Sequence, residues 1–211
     1  MNLPNKITVC RLVLIPVFVF FYLANFIPYG KLVAGIVFAI ACLTDFLDGY
    51  IARKYNLVTT LGKFLDSIAD KVLVMSGLLC LVAYPIVANG GVRADAPAIF
   101  PTYVGIVAGI VILARELLIS AFRQLAASKN IVLAADMCGK VKACFQFITL
   151  IFYFVYAFIV EEFYYAIDGV PNTVLNITGY ILLAITIALT IASAFRYIAL
   201  NRQVLKDSNK S

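Results

Sequence analysis

Six apolar runs separated by short polar segments dominate the pattern of this chain. They lie at Leu12–Ile27, Leu32–Ala52, Phe64–Ala88, Ile99–Leu118, Val141–Val160 and Val174–Leu200. A helix crosses the hydrocarbon core of a bilayer with about 20 residues, and each run reaches or approaches that length. The pattern predicts an all-α, polytopic membrane protein with six transmembrane helices. The first run is short by itself, and Ile7–Arg11 extends it as an interfacial turn. No linker or composition break divides the chain, so residues 1–211 read as a single membrane domain. No internal repeat of the kind found in duplicated transporter folds stands out.

Composition agrees: 64% of the residues are hydrophobic and 13% charged, outside the range of a soluble domain. Charge then orients the spans. With the N-terminus in the cytoplasm and six alternating helices, 15 of the 17 basic residues face the cytoplasm, and only Lys31 and Arg93 do not. The opposite side carries Glu161, Glu162 and Asp168, which read as a solvated outer loop. This asymmetry places both termini in the cytoplasm. The net charge of +6 is therefore a topology signal and an attraction to anionic membrane lipids, not a sign of a nucleic-acid partner. No cleavable signal peptide is evident in the N-terminal sequence. The five cysteines lack CxxC spacing and read as small packing residues. The chain has no histidine, which excludes a histidine base and histidine-ligated zinc or haem.

Against this apolar background the stretch DFLDGYIARKYNLVTTLGKFLDSIAD, from Asp45 to Asp70, places four acids inside predicted membrane helices. A carboxylate in hydrocarbon is costly without a partner. Asp45 and Asp48 are three apart, about 60° on a helical wheel, and Asp66 and Asp70 are four apart, so each pair shares a face. The short connection between the two helices makes them antiparallel neighbours, with both pairs near the cytoplasmic interface. Four carboxylates without histidine or a nearby thiol suit hard divalent cations, magnesium or manganese, and two such ions suit displacement at phosphorus. Gly49, Ala52 and Gly62 keep the adjoining surface small, and Arg53 is a fork donor suited to phosphate. A lone pair of membrane acids also fits an ion-coupled transporter, and small residues also serve close helix packing.

The full spacing, DxxDGxxAR, eight residues, then GxxxDxxxD, resembles the CDP-alcohol phosphotransferase family. Asp45, Asp48, Gly49, Ala52, Arg53, Gly62, Asp66 and Asp70 match it without a departure. The resemblance implies a six-helix membrane enzyme, usually a homodimer, that moves a phosphoalcohol group from a CDP-linked donor to an alcohol and releases CMP. It implies two divalent cations on Asp45, Asp48, Asp66 and Asp70, with Asp70 also the catalytic base. It further implies a nucleotide site around Gly49, Ala52, Arg53 and Gly62. Whether Asp70 is ligand, base or both stays open on sequence alone.

Two further segments bear on the substrates. Asn5, Thr8 and Arg11 recur on one helical face near the cytoplasmic interface. They form either an ordinary capped, anchored helix start or, as the similar opening of bacterial family members implies, a surface with Asn5 and Thr8 beside the nucleotide. Farther on, Arg115 and Arg123 share a helix face, Glu116 can orient Arg115, and Lys140 and Lys142 follow in GKVKACFQ. Positive-inside bias alone places basic residues here. Their register, however, suits a second phosphate, one belonging to the acceptor. The arrangement resembles family members that use glycerol 3-phosphate as acceptor and CDP-diacylglycerol as donor in the bacterial cell membrane. Ala143 departs from that pattern, in which threonine follows the second lysine. Ser193 and Arg196, near the last helix end, are within reach of the same basin, with Arg196 the better interfacial anchor. Inositol phosphate, serine or phosphatidylglycerol as acceptor remains the alternative within the same chemistry.

Overall fold

The computed structural model describes residues 3–24, 26–55, 59–91, 102–128, 137–163 and 170–201. Side chains are described there except at 3–4, 46, 48–53, 60–61, 63, 84–91, 102, 127–128, 161 and 170–172. The described residues form six helices and no strand: α1 (Leu3–Leu23), α2 (Gly30–Lys54), α3 (Thr60–Gly91), α4 (Thr102–Ser128), α5 (Met137–Phe163) and α6 (Val170–Leu200). The six apolar runs thus each become a helix, but the helices extend beyond the runs. α1 begins nine residues before Leu12, so the polar stripe Asn5, Thr8, Arg11 is helical rather than an interfacial turn. α4 continues ten residues past Leu118 and carries Arg123 on its last turns. Polar residues can lie on one side of a helix whose other side stays apolar, and a search for continuous apolar sequence truncates such a helix.

Among the described residues four stretches are long and apolar enough to cross a membrane: Asn5–Leu23, Tyr103–Ala126, Met137–Val160 and Thr173–Leu200. The α2 and α3 segments carry the aspartates near their joined ends, with Lys71 beside Asp70. Large apolar side chains point outward along the helices, among them Val107, Ile110, Leu117 and Leu118 on α4 and Phe195 on α6. Such a surface is unfavourable in water and natural against lipid. The expected all-α membrane architecture is therefore present.

The helices pack in sequence-neighbour pairs and across the bundle: α1 on α2 and α3, α5 on α6 and α2, α4 on α3 and α6. Aromatic residues knit the α1–α2–α5 contact. Phe18 lies edge-on to Phe38 at 5.4 Å and to Phe154 at 6.0 Å, and Tyr22 edge-on to Phe154 at 5.4 Å. Such pairs contribute roughly 0.5–1.5 kcal/mol each beyond the buried area. α3 approaches this cluster through Gly77, where a Cβ would stand 2.9 Å from the Phe38 ring. Tyr29, at φ 60°, turns the chain from α1 into α2 in the left-handed region, which is costly for a bulky residue, while its ring packs 6.2 Å from Phe158. The five cysteines are free thiols spread over four helices; Cys80 is buried as a packing residue, whereas Cys10 and Cys144 are exposed on the helix surface.

Candidate active site

The polar face of α1 points into the bundle. Asn5, Thr8 and Arg11 are all buried, Arg11 completely. A guanidinium has five N–H donors, stays charged and cannot be left alone in an apolar interior. Arg11 meets α2 and α3 together: its Nη1 lies 2.6 Å from Asp45 Oδ1 and 3.3 Å from Asp66 Oδ1. One nitrogen therefore touches the first acid of each pair, which brings the joined ends of α2 and α3 to the same depth. The sequence pattern placed Arg11 on the right face but did not make it part of the site. The signal for it was the three-residue spacing from Asn5 and Thr8 combined with an acid count that called for a counter-charge.

Asn5 and Gly62 also meet. The Asn5 amide donates to Thr59 Oγ1 at 3.2 Å, and Thr59 Oγ1 accepts from the Gly62 backbone N–H at 3.0 Å. Thr59 is thus the N-cap of α3, satisfying an amide that the helix cannot. A Cβ on Gly62 would collide with Asn5 Oδ1 and stand 2.9 Å from Thr59 Oγ1. Gly62→Ala therefore forces the cap apart. A lost cap costs about 1 kcal/mol, and for a chain of this size that lowers the melting midpoint by about 2–4 °C. An unchanged midpoint in detergent micelles would show that the contact is slack.

The side chains of Asp48, Gly49, Ala52 and Arg53, all expected in the metal and nucleotide sites, lie outside the described residues. Among the described residues no three acids or thiols gather closely enough to hold an ion. The donor chemistry nonetheless fits a hard divalent cation. Asp45 and Asp66 are carboxylates brought together on one guanidinium, both partly accessible with side chains 27% and 49% exposed.

Asp70 lies one turn beyond Asp66 and opens onto a different space. With Arg115, Arg123, Lys140 and Lys142 it lines a cavity of about 320 Å³ between α3, α4 and α5. The charges that act on Asp70 come from both sides: Asp45 and Asp66 from the acid cluster, Glu116 and Lys142 from the cavity. Asp70 thus stands between the acid pair Asp45 and Asp66 and the basic cavity.

The four basic residues of the cavity are not four equal cations. Lys142 is buried and ion-paired with Glu116 on α4, to which Arg115 Nη1 also reaches at 3.2 Å. Arg115 Nη2 donates to Ser193 Oγ on α6 at 3.0 Å. Arg123 donates from Nε to the Tyr197 hydroxyl at 3.2 Å, with its guanidinium 5.5 Å over the same ring. Lys140 is exposed at the mouth. Glu116 therefore neutralises part of the expected positive charge and fixes Lys142 and Arg115 in place, so the site presents fewer free cations but more rigid ones. Ser193 reaches the basin, as its position allowed. Arg196 instead sits beside Cys138, 2.9 Å from its Sγ, on the exposed side. Tyr197 was not anticipated. Its signal was the spacing of Ser193 and Tyr197, one turn apart and facing arginines two turns apart on α4.

Comparison with known sequences decides the family. The profile of the CDP-alcohol phosphatidyltransferase family matches residues 1–192. The chain belongs to that family. Among similar CDP-alcohol phosphatidyltransferases is a protein of Bacillus subtilis (strain 168), 36% identical over 219 residues that cover 99% of both chains. Another, from Rickettsia bellii (strain RML369-C), is 33% identical over 196 residues, 93% of both chains. A third, from Salmonella typhimurium, is 29% identical over 208 residues, 98% of both. All three are named CDP-diacylglycerol–glycerol-3-phosphate 3-phosphatidyltransferase.

Proposed function

We propose that this CDP-alcohol phosphatidyltransferase transfers the phosphatidyl group of CDP-diacylglycerol to the 1-hydroxyl of glycerol 3-phosphate, giving phosphatidylglycerol phosphate and CMP. The observation that carries the reading is the single cavity lined by Asp70 and the basic set Arg115, Arg123, Lys140 and Lys142. A carboxylate facing fixed cations suits an acceptor that offers a hydroxyl at one end and a phosphate at the other. Its volume lies at the small end of ligand sites, which favours a compact anion over a second lipid. The names of the relatives from Bacillus subtilis and Rickettsia bellii support the same acceptor and donor.

In this reading six spans cross the bacterial cell membrane, with both termini and the site cytoplasmic and the donor's acyl chains along lipid-facing grooves. The enzyme works as a homodimer, as the family resemblance implies. Asp45, Asp48, Asp66 and Asp70 hold two divalent cations, magnesium or manganese. When bound, these ions would supply charge neutralisation for displacement at phosphorus. Asn5, Thr8, Gly49, Ala52, Arg53 and Gly62 form the nucleotide side. Arg115, Arg123 and Lys140 bind the acceptor phosphate, Arg115 and Arg123 held by Ser193 and Tyr197 so that little order is lost on binding. Lys142, fixed by Glu116, adds its field without leaving its partner. Asp70 takes the proton of the acceptor hydroxyl as the new oxygen–phosphorus bond forms. The bond between that phosphorus and the CMP oxygen breaks, and CMP departs.

The test is CMP release in detergent–lipid micelles with CDP-diacylglycerol, magnesium and one acceptor at a time. Release with glycerol 3-phosphate and not with serine, inositol phosphate or phosphatidylglycerol supports the assignment. Release with another acceptor instead keeps the chemistry and discards the acceptor. Absence of release from folded protein discards both. In the same assay Arg123→Gln raises KM for glycerol 3-phosphate about tenfold, the size of one charge-assisted hydrogen bond at an exposed rim. KM for CDP-diacylglycerol stays unchanged. An equal rise in both would place Arg123 outside the acceptor site.

A further inference from the structure

The last residue of GKVKACFQ has no role in the reading above. Gln146 is 3% exposed and lines the same cavity as Asp70, one turn along α5 from Lys142. Its Oε1 is buried without a hydrogen-bond partner. Its polar neighbours on α5 are committed elsewhere: Lys142 to Glu116, and Thr149 to the Phe145 carbonyl and the Thr186 hydroxyl, each at 2.8 Å. A second side chain that lines the cavity holds an atom in the same state, Arg115 Nε on α4, although the two Nη atoms of that residue are bonded. Buried polar side-chain atoms are nearly always satisfied, so two orphans on side chains that line one cavity point to a ligand that both side chains turn to meet.

The two atoms ask for different chemistry. Arg115 Nε is a donor and calls for an anionic oxygen. Gln146 Oε1, as the amide is oriented here, is an acceptor, and a phosphate or carboxylate oxygen, with no proton to give, leaves it unsatisfied. A hydroxyl is the group that fits, since it donates to the amide oxygen and also accepts from the amide NH2 whichever way the amide is turned. We propose that Gln146 is a specificity residue that reads a hydroxyl of the acceptor other than the one that attacks. The cavity then selects a short polyol monophosphate over a simple hydroxyalkyl phosphate. The inference rests on the proposed use of this cavity for the acceptor and adds to it the requirement for a second hydroxyl.

The experiment compares glycerol 3-phosphate with 3-hydroxypropyl phosphate, which keeps the attacking hydroxyl and the phosphate and lacks only the secondary hydroxyl. A site built to bond a hydroxyl leaves its own buried group unpaired when that hydroxyl is missing. Wild type should therefore show kcat/KM for the deoxy acceptor about 10–100-fold lower. Gln146→Met, similar in size and apolar, should lower kcat/KM for glycerol 3-phosphate by a comparable factor and spare the deoxy acceptor, so the ratio approaches one. Gln146→Glu keeps an accepting oxygen and should keep the discrimination. Equal use of the two acceptors by wild type overturns the proposal even if no variant folds. A wild-type ratio that Gln146→Met leaves intact also overturns it. Failure of the underlying acceptor assignment is distinguishable, because wild type would then release no CMP with either compound.

Discussion

Asp70→Asn should lower kcat/KM for CMP release with glycerol 3-phosphate by about 10³-fold, within the 10²–10⁴ range of a positioned general base. The substitution keeps size and hydrogen-bonding capacity and removes only the charge and the basic oxygen, so the bundle should melt as the wild type does. The expectation follows from where Asp70 stands. It lines the cavity proposed for the acceptor, and the charges of Asp45 and Asp66 act on it from the other side. No other carboxylate among the described residues joins both regions, since Glu116, the other acid of the cavity, is occupied by Lys142 and Arg115. Varying the metal separates the roles of Asp70. If it is a ligand alone, raising magnesium or manganese recovers most of the lost rate. If it is the base, saturating metal leaves the rate low. A loss smaller than tenfold at saturating metal would remove Asp70 from the chemistry altogether.

Much of this was legible in the sequence because the bilayer makes polar residues conspicuous. Six apolar runs gave six helices, and the acids within them marked where α2 and α3 meet on Arg11. What escaped were pairings between helices distant in sequence. Nothing in GKVKACFQ shows that Lys142 is claimed by Glu116 from α4, 26 residues earlier. Seen as sequence, the two are a lysine near an interface and an acid beside an arginine. Packed, they are one buried pair that removes a cation from the expected set of four. Tyr197 escaped for a similar reason: an aromatic near a helix end reads as an interfacial anchor until α6 lies against α4. The apolar run also drew α1 too short, reading Ile7–Arg11 as an interfacial turn, although the helical spacing of Asn5, Thr8 and Arg11 already marked the longer helix. Hydropathy finds the part of a helix that faces lipid and misses a polar face turned into the bundle.

Arg11→Met should destabilise the metal-free protein by about 3 kcal/mol, the cost of removing one partner from a buried ion pair. The melting midpoint in detergent should fall by roughly 6–12 °C, at about 2–4 °C per kcal/mol for a chain of this length. Arg11 is completely buried and spans Asp45 and Asp66. Methionine fills much of the space but takes from two carboxylates on adjoining helix ends the positive charge that they share. The partial exposure of both acids lets water offset some of that loss, which keeps the estimate at the low end for buried pairs. Arg11→Lys should lie between, because a lysine keeps the positive charge but is shorter and offers three N–H donors in place of five. The same variant probes the acid cluster without any turnover. A divalent cation bound there replaces the missing positive charge, so magnesium should raise the midpoint of Arg11→Met by more than it raises that of wild type, in proportion to the logarithm of its concentration above Kd. An Arg11→Met protein that melts like wild type would mean that the guanidinium does not hold the two helix ends together. One that is weakened but indifferent to magnesium would mean that Asp45 and Asp66 do not share an ion.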